Sequence, residues 1–507
     1  AESSYLVNLK MDQADALYEL PEWRDESVAK YLAIYMEHPD DALAATALYN
    51  AAFAALELKK YDEGLKHAET YLAKYADAPL TPDVKYIAAE CSLQLGKLTE
   101  AEAIYKDLTS NYPKHAELDQ WWTRLGLSLY LQKKYGDVVA TLSPVVDKIK
   151  SPASQSEAQF LIGASQFHEE QFGEAATALT AALQANSKWR QADETLLYLS
   201  RANQKLNKLD EAIKNVKKML ADFPDSIHTS HAHYRYGEYC DASGDYETAV
   251  QQYEAVIAGG DSPFVPYAHY KKGWSQMMKK DYPAATASFT ALITGFPDHP
   301  LLADSQFARA MCYRQDGKLG EAIDDVKAFL ATEPAEPQKS SALYEQGLAE
   351  VALGRQADAI KTFTSIMTAN PEYASADKVL YELAWAYKSS DKNGEAVKTF
   401  AQLAADHGDS KLAAEANFHV AESLYDKKEF EDAVKSYTIA KQKAEQAELG
   451  EKSRYKLGWA HFQLKQYEPA LAQFSEKDDM YREGKLVDNG NLLKAKTRIP
   501  MENNAQS

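Results

Sequence analysis

In the run Tyr455-Lys456-Leu457-Gly458, followed by Gln466-Tyr467-Glu468-Pro469-Ala470 and then Phe474, two small residues stand twelve apart. A large ring comes four positions after the second of them. The same arrangement recurs up the chain. The second small residue falls at Gly64, Ala101, Val138, Ala175, Ala212, Ala249, Ala285, Ala322, Ala359, Ala396, Ala433 and Ala470, always 37 residues apart except for a 36-residue step between Ala249 and Ala285. Twelve phase-locked copies mark a repeat architecture rather than a set of independent domains.

Other columns move with this one. The first small residue gives Ala52, Ala89, Gly126, Gly163, Ser200, Gly237, Gly273, Ala310, Gly347, Ala384, Ala421 and Gly458. Large apolar residues such as Tyr105, Tyr253, Phe289, Phe363, Phe400, Tyr437 and Phe474 follow the second small column at an offset of four, a helical offset. Two helices that cross closely need small side chains where they touch, so each repeat is predicted to be a helix–turn–helix. The turn carries Gly96, Asn207, Gly244, Gly317 or Gly354 in one column, suited to a left-handed cap. Pro39, Pro113, Pro224, Pro297, Pro334 and Pro371 share the column where the second helix ends.

This pattern resembles the tetratricopeptide repeat (TPR) family over roughly residues 41–478, although these repeats are longer than the family's minimal unit. Their flavour is similar to bacterial cell-envelope TPR proteins of the Tol–Pal-associated and barrel-assembly lipoprotein types. The resemblance implies an all-α, right-handed superhelical solenoid of about 12–13 helix–turn–helix repeats. Residues 1–40 read as a degenerate N-terminal capping repeat. Residues 479–507 read as a C-terminal solvating helix and tail (Lys485 to Lys496 forming the helix) or as a truncated repeat. Ala258-Gly259-Gly260-Asp261-Ser262-Pro263 coincides with the one short step, so a flexible joint is expected at 258–266.

In this family the first helix of each repeat lines the concave face, through its second, fifth, ninth, twelfth and thirteenth positions. On that resemblance a partner-binding groove would be formed by Tyr234, Tyr270, Phe307, Tyr344, Tyr381, Phe418 and Tyr455 at the fifth position, and by Trp274, Trp385 and Trp459 at the ninth. Rigid rings bury contact area at little entropic cost, which suits an extended or helical peptide. The aromatic fifth column does not match the Lys and Asn that the peptide-carboxylate clamp of co-chaperone TPRs uses. The implied function is a non-enzymatic protein–protein interaction scaffold in bacterial envelope assembly, with one or more proteins or peptides as partners. Two alternatives remain from the sequence: a small-ligand or metal-binding carrier involving His228, His231 and His233, and an architectural spacer.

Composition sets further bounds. The 507 residues hold 56 Lys and Arg against 75 Asp and Glu, a net charge of −19, which disfavours a nucleic-acid partner. The longest apolar run, Ala44 to Leu56, is interrupted by Thr46 and Asn50, so no membrane insertion is expected. The chain opens Ala-Glu-Ser with neither Met nor an apolar leader, which suits a mature exported protein after signal removal and equally a trimmed chain. Cys91, Cys240 and Cys312 fall in core columns. No phosphate loop, nucleophile elbow or His-Glu-x-x-His pair is present, so neither an enzyme nor a cofactor is expected. Oligomeric state is left open.

Overall fold

The computed structural model describes residues 2–475, where α-helices and one 3-10 turn (Val146–Lys148) make up all the regular structure. The segment 479–507 lies outside the described residues. The chain divides into two compact units, Ala1–Phe264 and Val265–Ser507.

The first unit opens with the hairpin Glu2–Glu19 and Arg24–Glu37. Val7, Met11 and Ala14 pack there against Val28, Tyr31 and Ile34, and the Tyr31 hydroxyl donates to Asp15 Oδ1 at 2.6 Å. Helix pairs follow in the phase read from the sequence, from Ala44–Glu57 with Tyr61–Lys74 to Thr229–Ser243 with Tyr246–Ala258. The second unit continues with Val265–Met278 and Tyr282–Gly295 and reaches Ala447–Gln463 and Tyr467–Ser475. This is the all-α helix–turn–helix stack that the periodicity predicts.

Within each repeat the small column meets the large one. A Cβ added to Gly347 would stand 2.3 Å from Phe363 Cε1, and one added to Gly273 would stand 2.6 Å from Phe289 Cζ. Only a missing side chain lets these backbones approach so closely. The rings they admit are shut away from water: Tyr105, Tyr253, Phe289, Phe363 and Tyr437 are all fully buried. Each such ring contributes roughly 2–3 kcal/mol of burial energy. The three cysteines are buried and free, and burial pushes each thiol up to about 12.

Turns and joints also follow from residue type. Gly96, Gly244, Gly317 and Gly354 adopt φ of +74°, +81°, +76° and +73°, and Asn207 adopts +58°. The second helices end at Glu37, Asn111, Asp222, Gly295 and Ala369, each two residues before its proline, while Pro334 follows Leu330 by four. An Asp in the first turn of a first helix then holds the next inter-repeat turn. Asp119 Oδ2 accepts from the backbone N–H groups of Lys150 (2.8 Å) and Ser151 (3.0 Å), and Asp377 Oδ2 accepts from Ser410 Oγ at 2.7 Å. One second helix is short: Tyr135–Leu142 stops because Pro144 cannot continue it, and the 3-10 turn takes over.

Inside each unit, first helices also pack directly on the first helices of adjacent repeats, as Leu118–Leu131 does on Pro152–His168 and Ala376–Ser389 does on Gln338–Ala352. Among the described residues, no two successive second helices pack on each other this closely. The first helices therefore form the more crowded side, where side chains from consecutive repeats meet.

Candidate functional site

In the second unit the fifth-position rings Tyr270, Phe307, Tyr344, Tyr381, Phe418 and Tyr455 sit on consecutive first helices and are all half-buried. Trp274, Trp385 and Trp459 lie one turn further along and are half-buried too. The inner side of this rail leans on the second helices. Tyr270 and Trp274 contact Phe289 with centroids 6.0 and 6.2 Å apart, and Tyr381 and Trp385 contact Phe400 at 6.4 and 6.1 Å. Tyr344 meets Phe363, Phe418 meets Tyr437, Tyr455 meets Phe474, and Phe307 stacks on Phe329 at 5.1 Å. Each ring thus has a packing role on one side and a solvent-facing edge on the other.

The tenth residue read into this rail, Tyr234, belongs to the first unit and is 7% exposed. Phe264 covers it, the rings 5.3 Å apart and 29° from parallel. Its ring has little surface left to offer a partner.

A second regularity accounts for the Glu and Trp residues of the ninth column. Where the buried ring of the second helix is Tyr, the ninth position holds Glu, as in Glu90 with Tyr105, Glu238 with Tyr253, and Glu422 with Tyr437. The hydroxyls of Tyr105 and Tyr437 donate to Glu90 and Glu422, whereas that of Tyr253 donates to Asp241 Oδ2 at 2.7 Å. A buried hydroxyl needs an acceptor. Where the ring is Phe289, Phe400 or Phe474, there is no hydroxyl to satisfy, and the ninth position holds Trp. The sequence contains this pairing, and reading the two columns together would have shown that each Trp has a packing partner.

Polar groups interrupt the rail around Trp385. The Tyr381 hydroxyl donates to Glu415 Oε2 at 3.0 Å, and Lys388 Nζ lies 4.6 Å over the Trp385 ring. Lys388 is 3.4 Å from His419 Nδ1, and His419 stacks on Phe400 at 4.8 Å. A cleft of about 890 Å³ opens beside them, between Lys388, Val397, Phe418, Glu422 and Asp426. Glu382, on the same helix as Trp385, has no cation within ion-pair reach among the described residues, and burial raises its carboxyl above the usual range.

The histidines singled out for a metal alternative turn to separate partners. His231 accepts from Arg235 Nε at 3.1 Å and stacks on Phe264 at 4.6 Å, while His233 Nδ1 is 2.8 Å from Gln252 Oε1. Burial, followed by the nearby Arg235, pushes His231 down to about 4, so it is neutral at pH 7. Among the described residues no group of three His, Cys, Asp or Glu side chains is placed to hold a metal ion.

Residues 49–116 and 381–448 match the family described as tetratricopeptide repeat, and residues 265–374 match the family described as outer membrane lipoprotein (YfiO). The hairpins within residues 49–116 and 381–448 are tetratricopeptide repeats. Solved TPR-type structures resemble the chain in part. MamA is 21% identical, with 34% of this chain and 94% of that one covered and a TM-score of 0.30. The C-terminal part of a TPR repeat-containing protein from Cytophaga hutchinsonii is 14% identical, covering 55% and 98%, with a TM-score of 0.38. PilW, described as a widely conserved type IV pilus biogenesis factor, is 17% identical, covering 44% and 98%, with a TM-score of 0.36. A comparison with curated protein sequences finds no significant match. Among the described residues no helix is long and apolar enough to cross a membrane.

Proposed function

We propose that this TPR chain is a non-enzymatic scaffold of a bacterial envelope that holds a segment of a partner protein along the first helices of its second unit. The observation that carries this reading is the rail of half-buried rings from Tyr270 to Trp459, set on consecutive first helices. Rings held by packing on one side lose little entropy when the other side is covered. The unpaired carboxylate of Glu382 favours a partner segment with a basic residue among its apolar ones. The match of residues 265–374 to an outer membrane lipoprotein family supports the envelope setting, and the same stretch contributes four rail positions.

The test replaces Trp385 and Trp459 together with Ala and compares partner capture from an envelope extract with that of the unaltered chain. Loss of one anchor ring typically weakens binding by about tenfold or more, so the double variant should lose its partner. Helix content, followed by circular dichroism, should persist. Unchanged capture would reject the rail.

A further inference from the structure

Arg201 lies at the ninth position of the first helix Ala192–Lys205, where the other repeats carry Glu, Trp or an apolar residue. Its guanidinium sits 4.6 Å above the Phe167 ring and 5.2 Å above that of Tyr198. No carboxylate lies within ion-pair distance of it among the described residues. Other arginines on first helices are treated differently. Arg124 has Glu90 at 3.0 Å and Glu157 at 3.3 Å, Arg309 has Asp325 at 2.7 Å, Arg314 has Glu345 at 2.5 Å, and Arg235 has Glu238 at 2.7 Å.

The charged neighbour of Arg201 is a second cation, Arg235, already paired with Glu238. Burial, and then the neighbouring Arg235, lower its proton affinity. His168 stacks on Tyr135 at 4.5 Å, and burial, Arg201 and Lys133 together lower its pKa. The Tyr130 and Tyr198 hydroxyls stand 3.4 Å apart, joining first helices two repeats away from each other. The first helices Leu118–Leu131, Pro152–His168 and Ala192–Lys205 thus gather rings around a cation that lacks a counter-charge. Removing a guanidinium from water without a paired anion is costly. In a chain with 19 more acidic than basic residues, carboxylates were plentiful for pairing, yet none is placed here.

We propose that Arg201 forms a carboxylate-reading site on the first unit, which takes an acidic side chain of a peptide whose apolar neighbours lie against the half-buried Tyr130 and Tyr198. The guanidinium supplies two parallel N–H donors to the incoming carboxylate, and the rings take the flanking side chains. The chain's net negative charge works against doubly charged anions more than against a single carboxylate, which favours a peptide over a phosphate group. This site uses none of the rail residues of the second unit and does not depend on that reading.

The experiment measures fluorescence anisotropy of the full chain with a labelled, C-terminally amidated Phe-Glu-Phe-Glu-Phe peptide and its amidated Phe-Gln-Phe-Gln-Phe counterpart, with inorganic phosphate and acetate as competitors. The glutamate peptide should bind about tenfold more tightly or better, and Arg201→Gln should abolish that preference while Arg201→Lys keeps part of it. Because Arg201 has no internal ion pair and only its contacts with the rings to lose, Arg201→Gln should lower the thermal midpoint by no more than about a degree or two. Equal affinity for the two peptides would overturn the site, as would a preference that survives Arg201→Gln. A midpoint lowered by several degrees would show Arg201 to be structural, and displacement of the peptide by inorganic phosphate but not by acetate would assign the site to phosphate. Trp385→Ala with Trp459→Ala should leave the preference intact, so failure of the rail and failure of this site are read separately.

Discussion

Gly347 and Phe363 show what a single side chain controls in this molecule. A methyl group at Gly347 would stand 2.3 Å from Cε1 of a ring that is 0% exposed, with helix backbone behind it. Gly347→Ala should therefore force the two helices apart or the ring off its rotamer, costing about 1–3 kcal/mol. A lowered denaturation midpoint against the unaltered chain checks this, and an unchanged midpoint would mean the helix pair yields easily. Ala384 facing Phe400 shows that some repeats are spaced to admit the methyl. The small column is legible in the sequence because the same close approach of two helices recurs in every repeat. The coupling of Tyr to Glu, and of Phe to Trp in three of the four repeats with a buried Phe in that column, was equally present, but each column reads as simple aromatic or mixed character until hydroxyl satisfaction is considered.

At the scale of the element, the turn between paired helices has one invariant that residue type conceals. The five positions with Gly or Asn are left-handed as expected, but so are Lys59, Lys133, Glu170, Lys280, Asp391, Lys428 and Lys465 in the same column, with φ between 57° and 66°. A residue with a Cβ pays roughly 1 kcal/mol in that conformation, which glycine avoids. Lys280→Gly should raise the stability of the second unit by up to about 1 kcal/mol, less the extra entropy glycine brings to the unfolded chain, and denaturant titration should show a higher midpoint. A lower midpoint would mean that the lysine side chain contributes more than its backbone costs. Geometry imposed by both helices overrides local preference here, so composition alone could not mark these seven turns. The short helix Tyr135–Leu142 is the converse case, where one proline at position 144 overrides the repeat.

For the whole molecule, the division after Phe264 falls next to Gly259-Gly260, where Gly260 has φ of +83°. In a repeat array stability is a sum of contacts between neighbours, so each unit should hold together without the other. Fragments 1–264 and 265–507, made separately, should each be helical by circular dichroism and melt cooperatively. A fragment that remains unfolded alone would show that stability is shared across the division. We propose on the same grounds that 258–266 acts as a flexible joint.

The periodic spacing of small and large residues was enough to determine the helical hairpins, their order and the helix that carries each column, because each packing contact recurs every 37 residues and so leaves a visible phase. Tertiary structure alone decided which members of a column are covered or left without a counter-charge. Phe264 closes over Tyr234, whereas Arg201 meets rings instead of a carboxylate. Those outcomes depend on which side chains arrive from neighbouring repeats and loops, and a residue's phase within its own repeat does not encode them.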